Sequence, residues 1–200
     1  MVWLVLGLLG CSSDGLESDH DGSLRLPLDS ADPSGSLIVD IDTSLGRLSV
    51  ALDEDAAPIT VENFLGYVDS GFFDGRDGGG ATVFHRVIAD FVAQGGGHTE
   101  DGSSKSPGPA ITLESDNGLS NRRGTIAMAR TAAADSATSQ FYFNLIDNDF
   151  LDYQDAAAPG YAVFGALIDG LDVLDSIGAV DTDGSDWPEA DVVIMACQRR

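Results

Sequence analysis

The sequence predicts a mainly β protein, built as a closed and largely antiparallel β-barrel with two helices capping it. Two observations predict this fold class. Most apolar stretches alternate with polar residues, which is the two-residue period of strands. Only two stretches carry the wider apolar spacing of an amphipathic helix, and many short strands with few helices favour a barrel.

The chain begins its strand pattern with a hairpin. Residues 37–42 and 47–52 both alternate, and the intervening residues 43–46 end in Gly46, which suits a turn. A helix follows, with Pro58 in its first turn and Gly71 as its stop signal. Apolar side chains at i, i+3, i+4 and i+7 give that helix one buried stripe, formed by Val61, Phe64, Leu65 and Val68.

The rest of the chain contains further strands and one more helix. The stretch around Arg86 and Gln94 alternates as a strand and then breaks into glycines, so residues 95–109 are expected to form a long surface loop. Leu171, Leu174 and Ile177 predict the second helix. The other strand-like runs are residues 125–130, 139–145, 161–168 and 192–196.

Composition limits the partners of the protein. Its 200 residues and 43% apolar content suffice for one domain with a full core. Its 33 acidic and 10 basic residues give a net charge of -23, which repels the phosphates of nucleic acids and anionic lipid headgroups. We therefore expect no nucleic-acid partner.

The N-terminus indicates export. Residues 1–10 are apolar, uncharged and too short to span a bilayer, which favours a signal peptide. The motif Leu8-Leu9-Gly10-Cys11 resembles the lipobox of bacterial lipoproteins, in which the cysteine is lipidated. Residues 11–36 are rich in Asp, Gly and Ser and predict a flexible acidic tether, followed by the domain at residues 37–200. A location in the cell envelope, facing the periplasm or the exterior, follows; the alternative is an unprocessed soluble form.

The usual catalytic motifs are absent from the sequence. It has no Gly-x-Ser-x-Gly elbow, P-loop, Cys-x-x-Cys pair or His-Glu-x-x-His motif, and its histidines are His20, His85 and His98. We expect no cofactor and no metal, and a structural role for His85. One alternative is calcium bound by the carboxylates of residues 181–186 with Glu189.

Several motifs in order give the chain a family resemblance. From residue 37 to residue 196 it resembles a cyclophilin, a peptidyl-prolyl cis-trans isomerase. The matching motifs are PITVENF (58–64), FHRVI (84–88), FVAQGG (91–96), GLSN (118–121), RGTIAMAR (123–130), SQF (139–141) and YAVFG (161–165). The resemblance implies an eight-stranded antiparallel barrel capped by two helices.

The resemblance also implies the site residues. Arg86 would donate a hydrogen bond to the prolyl nitrogen, and Gln94 would help to fix the arginine and the substrate. The substrate-binding residues implied by the motifs are Phe91, Val92, Tyr142 and Leu151 in an apolar proline pocket, the backbone of Ala129 and Arg130, and the groove residues Gln140, Phe150 and Tyr161. Tyr142 stands where the family usually has Phe, and Phe150 and Tyr161 where many eukaryotic members have Trp and His.

The implied activity is rotation about X–Pro bonds, which assists the folding of exported proteins. The implied partners are proline-containing polypeptides, and contact with a membrane would occur only through the lipid on Cys11. We expect a monomer, and Phe150 implies weak cyclosporin binding. The alternative function is a non-catalytic proline-peptide-binding or chaperone-like module.

Overall fold

A computed structural model describes residues 37–200. The predicted signal peptide (residues 1–10), the lipidation residue Cys11 and the tether (residues 11–36) lie outside the described residues. The strands are β1 (Leu37–Thr43), β2 (Gly46–Leu52), β3 (Asp74–Gly75), β4 (Gly80–Ile88), β5 (Val92–Thr99), β6 (Thr125–Met128), β7 (Phe141–Asn144), β8 (Val163–Asp169) and β9 (Ile194–Arg199). The helices are α1 (Pro58–Ser70) and α2 (Leu171–Gly178), and a 3-10 turn covers Asp149–Leu151.

Eight strands form the predicted antiparallel barrel, in the order β4-β5-β7-β6-β8-β2-β1-β9. The ring closes where Val83 of β4 bridges Val193, just before β9. Beside this bridge the Phe84 N–H donates to the Val192 carbonyl at 2.9 Å. The two-residue strand β3 pairs with β4 and is the ninth strand of the sheet.

Helix α1 has the predicted boundaries. Pro58 lies in its first turn, and Gly71 ends it with a left-handed φ of 72°. A Cβ at Gly71 would also collide with the Arg76 side chain. Both the left-handed backbone and the close contact therefore require glycine at this position. The Glu114 carboxylate accepts hydrogen bonds from the Ile59 and Thr60 N–H groups, at 3.1 and 2.8 Å, and so caps the N-terminus from a distant loop.

The core inside the barrel is built around phenylalanine. Phe141 lies at its centre and meets four other rings edge-on, with centroids 5.4 to 6.0 Å away. Such pairs contribute about 0.5–1.5 kcal/mol each beyond the burial of their area. The fully buried phenylalanines are Phe64, Phe73, Phe84, Phe141, Phe143 and Phe164.

A second and smaller apolar cluster lies apart from this core. Its members alternate with core residues along the same strands: Val92 precedes the core residue Ala93, and Tyr142 separates Phe141 from Phe143. Successive side chains of a strand point to opposite faces, so the second cluster belongs to the outer face of the barrel wall. Strands β5, β6 and β7 are therefore buried on both faces.

The prediction of a loop from residue 95 was wrong for residues 95–99, which continue β5. Gly95 packs against Phe84, where a Cβ would lie 3.3 Å from that ring, and Gly96 adopts a φ of 80°. The register between β4 and β5 shifts at His85, on either side of which Phe84 faces Gly95 and Arg86 faces Gln94. Glycine permits this bulged pairing, whereas its frequency in the sequence suggested a loop.

Among residues 37–200, no helix has the length and apolar character that a bilayer span requires.

Lys105 fastens a surface loop to the barrel. Its Nζ donates to the carbonyls of Phe72 and Gly80, at 2.6 and 2.8 Å, and to Asp77 Oδ1 at 2.9 Å. The ammonium also lies 4.5 Å from the centre of the Phe72 ring. Since only 7% of the side chain is exposed, these bonds form largely out of water.

We predict that Lys105→Met lowers the free energy of unfolding by about 2 kcal/mol, because it removes three charge-assisted bonds, one of them to the carbonyl of the buried Phe72. Urea unfolding of the protein measures the change. Arg199→Met is the matched control: it removes an exposed ion pair with Asp69, which is expected to contribute less than about 1 kcal/mol. Equal losses in the two variants would contradict the role assigned to Lys105.

Candidate active site

Arg86 and Gln94 occupy facing positions on β4 and β5. The Gln94 amide donates from Nε2 to Gln140 Oε1 at 2.8 Å, which fixes both glutamine side chains. Arg86 is 40% exposed, so its guanidinium remains open to a ligand. The structure thus brings together three residues that are implied by the family motifs.

Asp186 is a neighbour of Arg86 that the sequence analysis weighed only as a calcium ligand. Its Oδ2 lies 3.5 Å from Arg86 Nε, and its carbonyl accepts a hydrogen bond from the Val87 N–H at 2.8 Å. Both side chains are about two-fifths exposed, so the pair contributes little to stability. No local sequence pattern marks this contact, because it joins residues one hundred positions apart.

Two of the carboxylates in residues 181–186, those of Asp183 and Asp186, already have partners in the fold. Asp183 Oδ1 accepts hydrogen bonds from the Ser185 and Trp187 N–H groups at 2.7 and 3.1 Å, as in an Asx turn. Asp186 is paired with Arg86. Within the part of the chain that the structure describes, no three His, Cys, Asp or Glu side chains are grouped to hold a metal ion. The geometry therefore gives the calcium alternative no support.

The outer cluster collects the residues implied for the proline pocket. Its buried members are Val92, Ala127, Tyr142 and Val163, and Phe91, Leu119, Ala129, Leu151 and Tyr161 pack against them. Phe150 stacks on Phe91 with centroids 5.8 Å apart and planes at 16°. Because Phe150 is 66% exposed, it forms an apolar rim beside the cluster.

The Tyr142 hydroxyl finds a partner away from solvent. It donates to Asn121 Oδ1 at 2.7 Å. Asn121 is itself fixed, since its N–H and its Nδ2 both donate to Asp152 Oδ1, at 2.7 and 2.8 Å. Burial raises the pKa of Tyr142 well above its ordinary value, so the hydroxyl stays neutral. Asn121 belongs to the GLSN motif (118–121), but the motif alone did not indicate that it accepts a hydrogen bond from Tyr142 beneath the pocket.

The same buried network holds Phe91. Asn144 donates to Asn121 Oδ1 at 3.2 Å, and Asn148 donates to Asn144 Oδ1 at 2.8 Å. Asn148 also donates to the Phe91 carbonyl at 3.0 Å. A chain of amides therefore links the backbone of one pocket residue to the side chain of another, which restricts the movement of both.

Arg130 and Tyr161 form the other side of the groove. The Arg130 guanidinium lies 4.6 Å from the centre of the Tyr161 ring, and the two tyrosines, Tyr142 and Tyr161, meet edge-on at 5.9 Å. The Ala129 N–H already donates to the Gln140 carbonyl at 2.9 Å. A bound peptide would therefore use other backbone groups of Ala129 and Arg130 than this N–H.

His85 is buried beside Arg86 and packs against other rings. Its ring lies 4.5 Å from that of His98 and 5.9 Å from Trp187. Burial, together with the nearby His98, lowers the pKa of His85 to about 4. The ring is therefore neutral at physiological pH, which fits the structural role expected from the sequence.

Together these residues form an apolar pocket next to a fixed cation and an ordered amide. Such a site can hold a small apolar ring and hydrogen-bond to a polar atom attached to it. A cationic donor beside an apolar pocket suits a reaction that depends on position and on a charge-assisted hydrogen bond.

Comparisons with known proteins identify this arrangement. The family model for cyclophilin type peptidyl-prolyl cis-trans isomerase/CLD matches residues 38–199. The chain is 45% identical over 162 residues to peptidyl-prolyl cis-trans isomerase A of Dickeya dadantii, covering 79% of this chain and 82% of that protein. It is 43% identical over 163 residues to peptidyl-prolyl cis-trans isomerase B of Escherichia coli, covering 78% and 96%.

Solved structures agree with the sequence relatives. A crystal structure of a cyclophilin type peptidyl-prolyl cis-trans isomerase of Cryptosporidium parvum superposes with a TM-score of 0.71 at 27% identity, covering 82% of this chain and 98% of that chain. The same protein in the presence of the dipeptide Ala-Pro gives a TM-score of 0.69 at 28% identity, covering 80% and 96%. The chain belongs to the cyclophilin-type peptidyl-prolyl cis-trans isomerases, and its reaction is rotation about X–Pro peptide bonds.

Proposed function

We propose that Arg86 is the catalytic residue of this isomerase, that Gln94 positions it, and that the outer cluster binds the substrate proline. The observation that carries the proposal is the position of Arg86 and Gln94 on facing strands, with Val92 and Tyr142 of the pocket on β5 and β7 next to them. The Arg86 charge and the apolar pocket thus lie on adjacent strands of one sheet.

Rotation about an X–Pro bond requires little more than a hydrogen-bond donor and a pocket for the proline ring. The barrier to rotation is about 18–20 kcal/mol and comes from amide resonance, which is lost as the bond twists. The prolyl nitrogen then becomes pyramidal and gains a lone pair that can accept a hydrogen bond. A hydrogen bond from an arginine N–H to that lone pair is stronger in the twisted state than in either planar state. This difference is the condition for catalysis.

The remaining residues supply position and a dry surface. Phe91, Val92, Tyr142 and Leu151 would hold the proline ring while the preceding residue rotates. Gln94 donates its amide hydrogen to Gln140, which leaves its carbonyl oxygen as the group to orient Arg86 or a substrate N–H. His85 and Tyr142 are neutral, so they add no charge beside the guanidinium of Arg86, whose ion-pair partner is Asp186 at 3.5 Å.

Two features of the sequence motivate the non-catalytic alternative, namely Tyr142 in the apolar pocket and the lengthened loop of residues 74–81. The first would disturb the pocket if the Tyr142 hydroxyl had no partner. The hydroxyl is instead bonded to Asn121, so the ring can serve the pocket as Phe would. The kinship with named isomerases favours the catalytic function.

The substrates we propose are proline-containing polypeptides exported across the membrane, whose folding is limited by slow X–Pro isomerisation. The N-terminal sequence supports this location, since residues 1–10 would be removed, Cys11 lipidated, and residues 11–36 would join the lipid to the domain. A net charge of -23 opposes direct contact with anionic headgroups. We expect a monomer with weak cyclosporin binding.

Arg86→Ala should lower kcat/KM about a hundredfold, because a transition-state contact of about 3 kcal/mol is lost. A protease-free assay on a proline tetrapeptide measures the rate, and circular dichroism checks the fold. Arg47→Ala is the control, since it removes an arginine whose ion pairs with Asp40 and Asp42 lie in the β1–β2 hairpin. Unchanged turnover in Arg86→Ala would refute the role of Arg86. A wild type that binds the peptide without turning it over would support the binding module instead.

Tyr142→Phe should lower the free energy of unfolding by about 1 kcal/mol, because one buried hydrogen bond is lost while Asn121 Oδ1 keeps the bond from Asn144. Isomerisation should remain within about twofold of wild type, since the ring still lines the pocket. Urea unfolding and the same assay provide the two measurements. Loss of turnover in this variant would instead place the hydroxyl in the chemistry.

Mass spectrometry of the protein purified from membranes should show a mature chain that starts at a lipid-modified Cys11, because a lipidated cysteine becomes the first residue. Cys11→Ser should release the protein from the membrane fraction. An unmodified N-terminus, or membrane attachment that persists in Cys11→Ser, would rule out the proposed anchor.

A further inference from the structure

Arg130 differs from the other Lys and Arg side chains between positions 37 and 200 in having no carboxylate partner there. Eight of the nine Lys and Arg side chains in this range have a carboxylate oxygen within 4.0 Å, and Arg130 has none there. In a chain with 33 acidic residues, a cation that stays unpaired is unexpected. Its charge is therefore available to something that is not part of the described fold.

The guanidinium of Arg130 is held in one orientation. Its Nε donates to the Gly160 carbonyl at 2.8 Å, and its Nη1 donates to the Thr131 carbonyl at 2.9 Å. The Tyr161 ring supports it at 4.6 Å by a cation–π contact. Within residues 37–200, Nη2 makes no hydrogen bond that would use its two protons. A ligand would therefore meet a fixed donor and would not have to order a flexible side chain.

A cavity of about 300 Å³ lies against this guanidinium. Its walls include Arg130, Phe150, Asp152, Pro159, Gly160 and Tyr161. Tyr161 belongs also to the outer cluster, and Phe150 stacks on Phe91 of that cluster. The cavity and the proline pocket are thus neighbours that share one wall.

Asp152 is the one wall residue that opposes an anion. Its Oδ1 accepts hydrogen bonds from the Asn121 N–H and Nδ2, at 2.7 and 2.8 Å, so its charge is partly offset by donors beneath the cavity. Arg130 has no comparable partner of opposite charge within the described residues. Within the described residues, the wall therefore offers the unused N–H groups of Arg130 Nη2, which suit a negatively charged ligand.

We propose that this cavity is a subsite for an acidic side chain of the substrate. In it, Arg130 binds the carboxylate of an Asp or Glu located one or two residues from the substrate proline. The inference rests on the proposed function, because it assumes that the proline occupies the outer cluster. Attraction to Arg130 at short range would favour such substrates. Acidic polypeptides without a bound proline would be repelled by the net charge of -23 on the protein.

The test uses a set of tetrapeptide and pentapeptide substrates with Glu, Gln or Lys at each of the two positions on either side of the proline. For at least one position, kcat/KM of the Glu peptide should exceed that of the Gln peptide about threefold at low salt, as for a partly exposed ion pair. The preference should appear in KM and fade at about 0.5 M salt, where the charges are screened.

Arg130→Gln should bring the Glu-to-Gln ratio to about one, whereas Arg199→Gln removes the same charge from an ion pair with Asp69 and should keep the ratio. Using a ratio removes any general effect of the substitution on activity. A ratio near one in the wild type, a ratio retained in Arg130→Gln, or a preference for the Lys peptides would each overturn the proposal.

The dissociation constants of the same peptides, measured by chemical-shift titration, separate the two levels of the inference. A wild type that turns over none of the peptides contradicts the proposed function, yet the Glu-to-Gln ratio of the dissociation constants still decides whether the acidic subsite exists. A normal turnover with no difference between Glu and Gln removes the subsite and leaves the isomerase intact.

Discussion

The alternation of side chains along β5, β6 and β7 is the constraint from which both the core and the groove follow. Phe141 and Phe143 fill the barrel because they point inward, and Tyr142 between them must then point outward. A shift of one residue in the pairing of β7 would exchange these faces and destroy core and pocket together. The close packing of the phenylalanines therefore fixes the position of the pocket.

The polar groups of the site are arranged to stay constant rather than to titrate. Burial raises the pKa of Tyr142 and lowers that of His85, so both side chains stay neutral at physiological pH. Beneath the pocket, the amides of Asn121, Asn144 and Asn148 form a hydrogen-bonded network that joins the Tyr142 hydroxyl to the Asp152 carboxylate. A reaction that needs a fixed electrostatic environment and no proton transfer is well served by amides, which provide direction without a change of charge.

The hairpin, the α1 stripe and the strand assignments could be predicted because each depends on local periodicity. The grouping of Arg86, Gln94 and the pocket residues could be expected only from ordered motifs, since periodicity does not say which strands become neighbours. Two contacts could not be foreseen: Asp186 with Arg86, and Asn121 with Tyr142. Both contacts join segments that are remote in sequence, and the path of the intervening chain determines which residues come into contact. The strand at residues 95–99 was missed because Gly95 serves close packing there.

The strand order has a consequence for how the chain reaches its folded state. β1 lies between β2 and β9, so the first strand of the domain pairs with the last, and the Arg200 N–H donates to the Ile38 carbonyl at 2.9 Å. Contacts between residues so far apart in sequence slow folding, because a long loop must close before they form. During synthesis, the edge of β1 that pairs with β9 therefore stays unpaired until the last strand is available. The barrel can be completed only after the C-terminal residues have emerged.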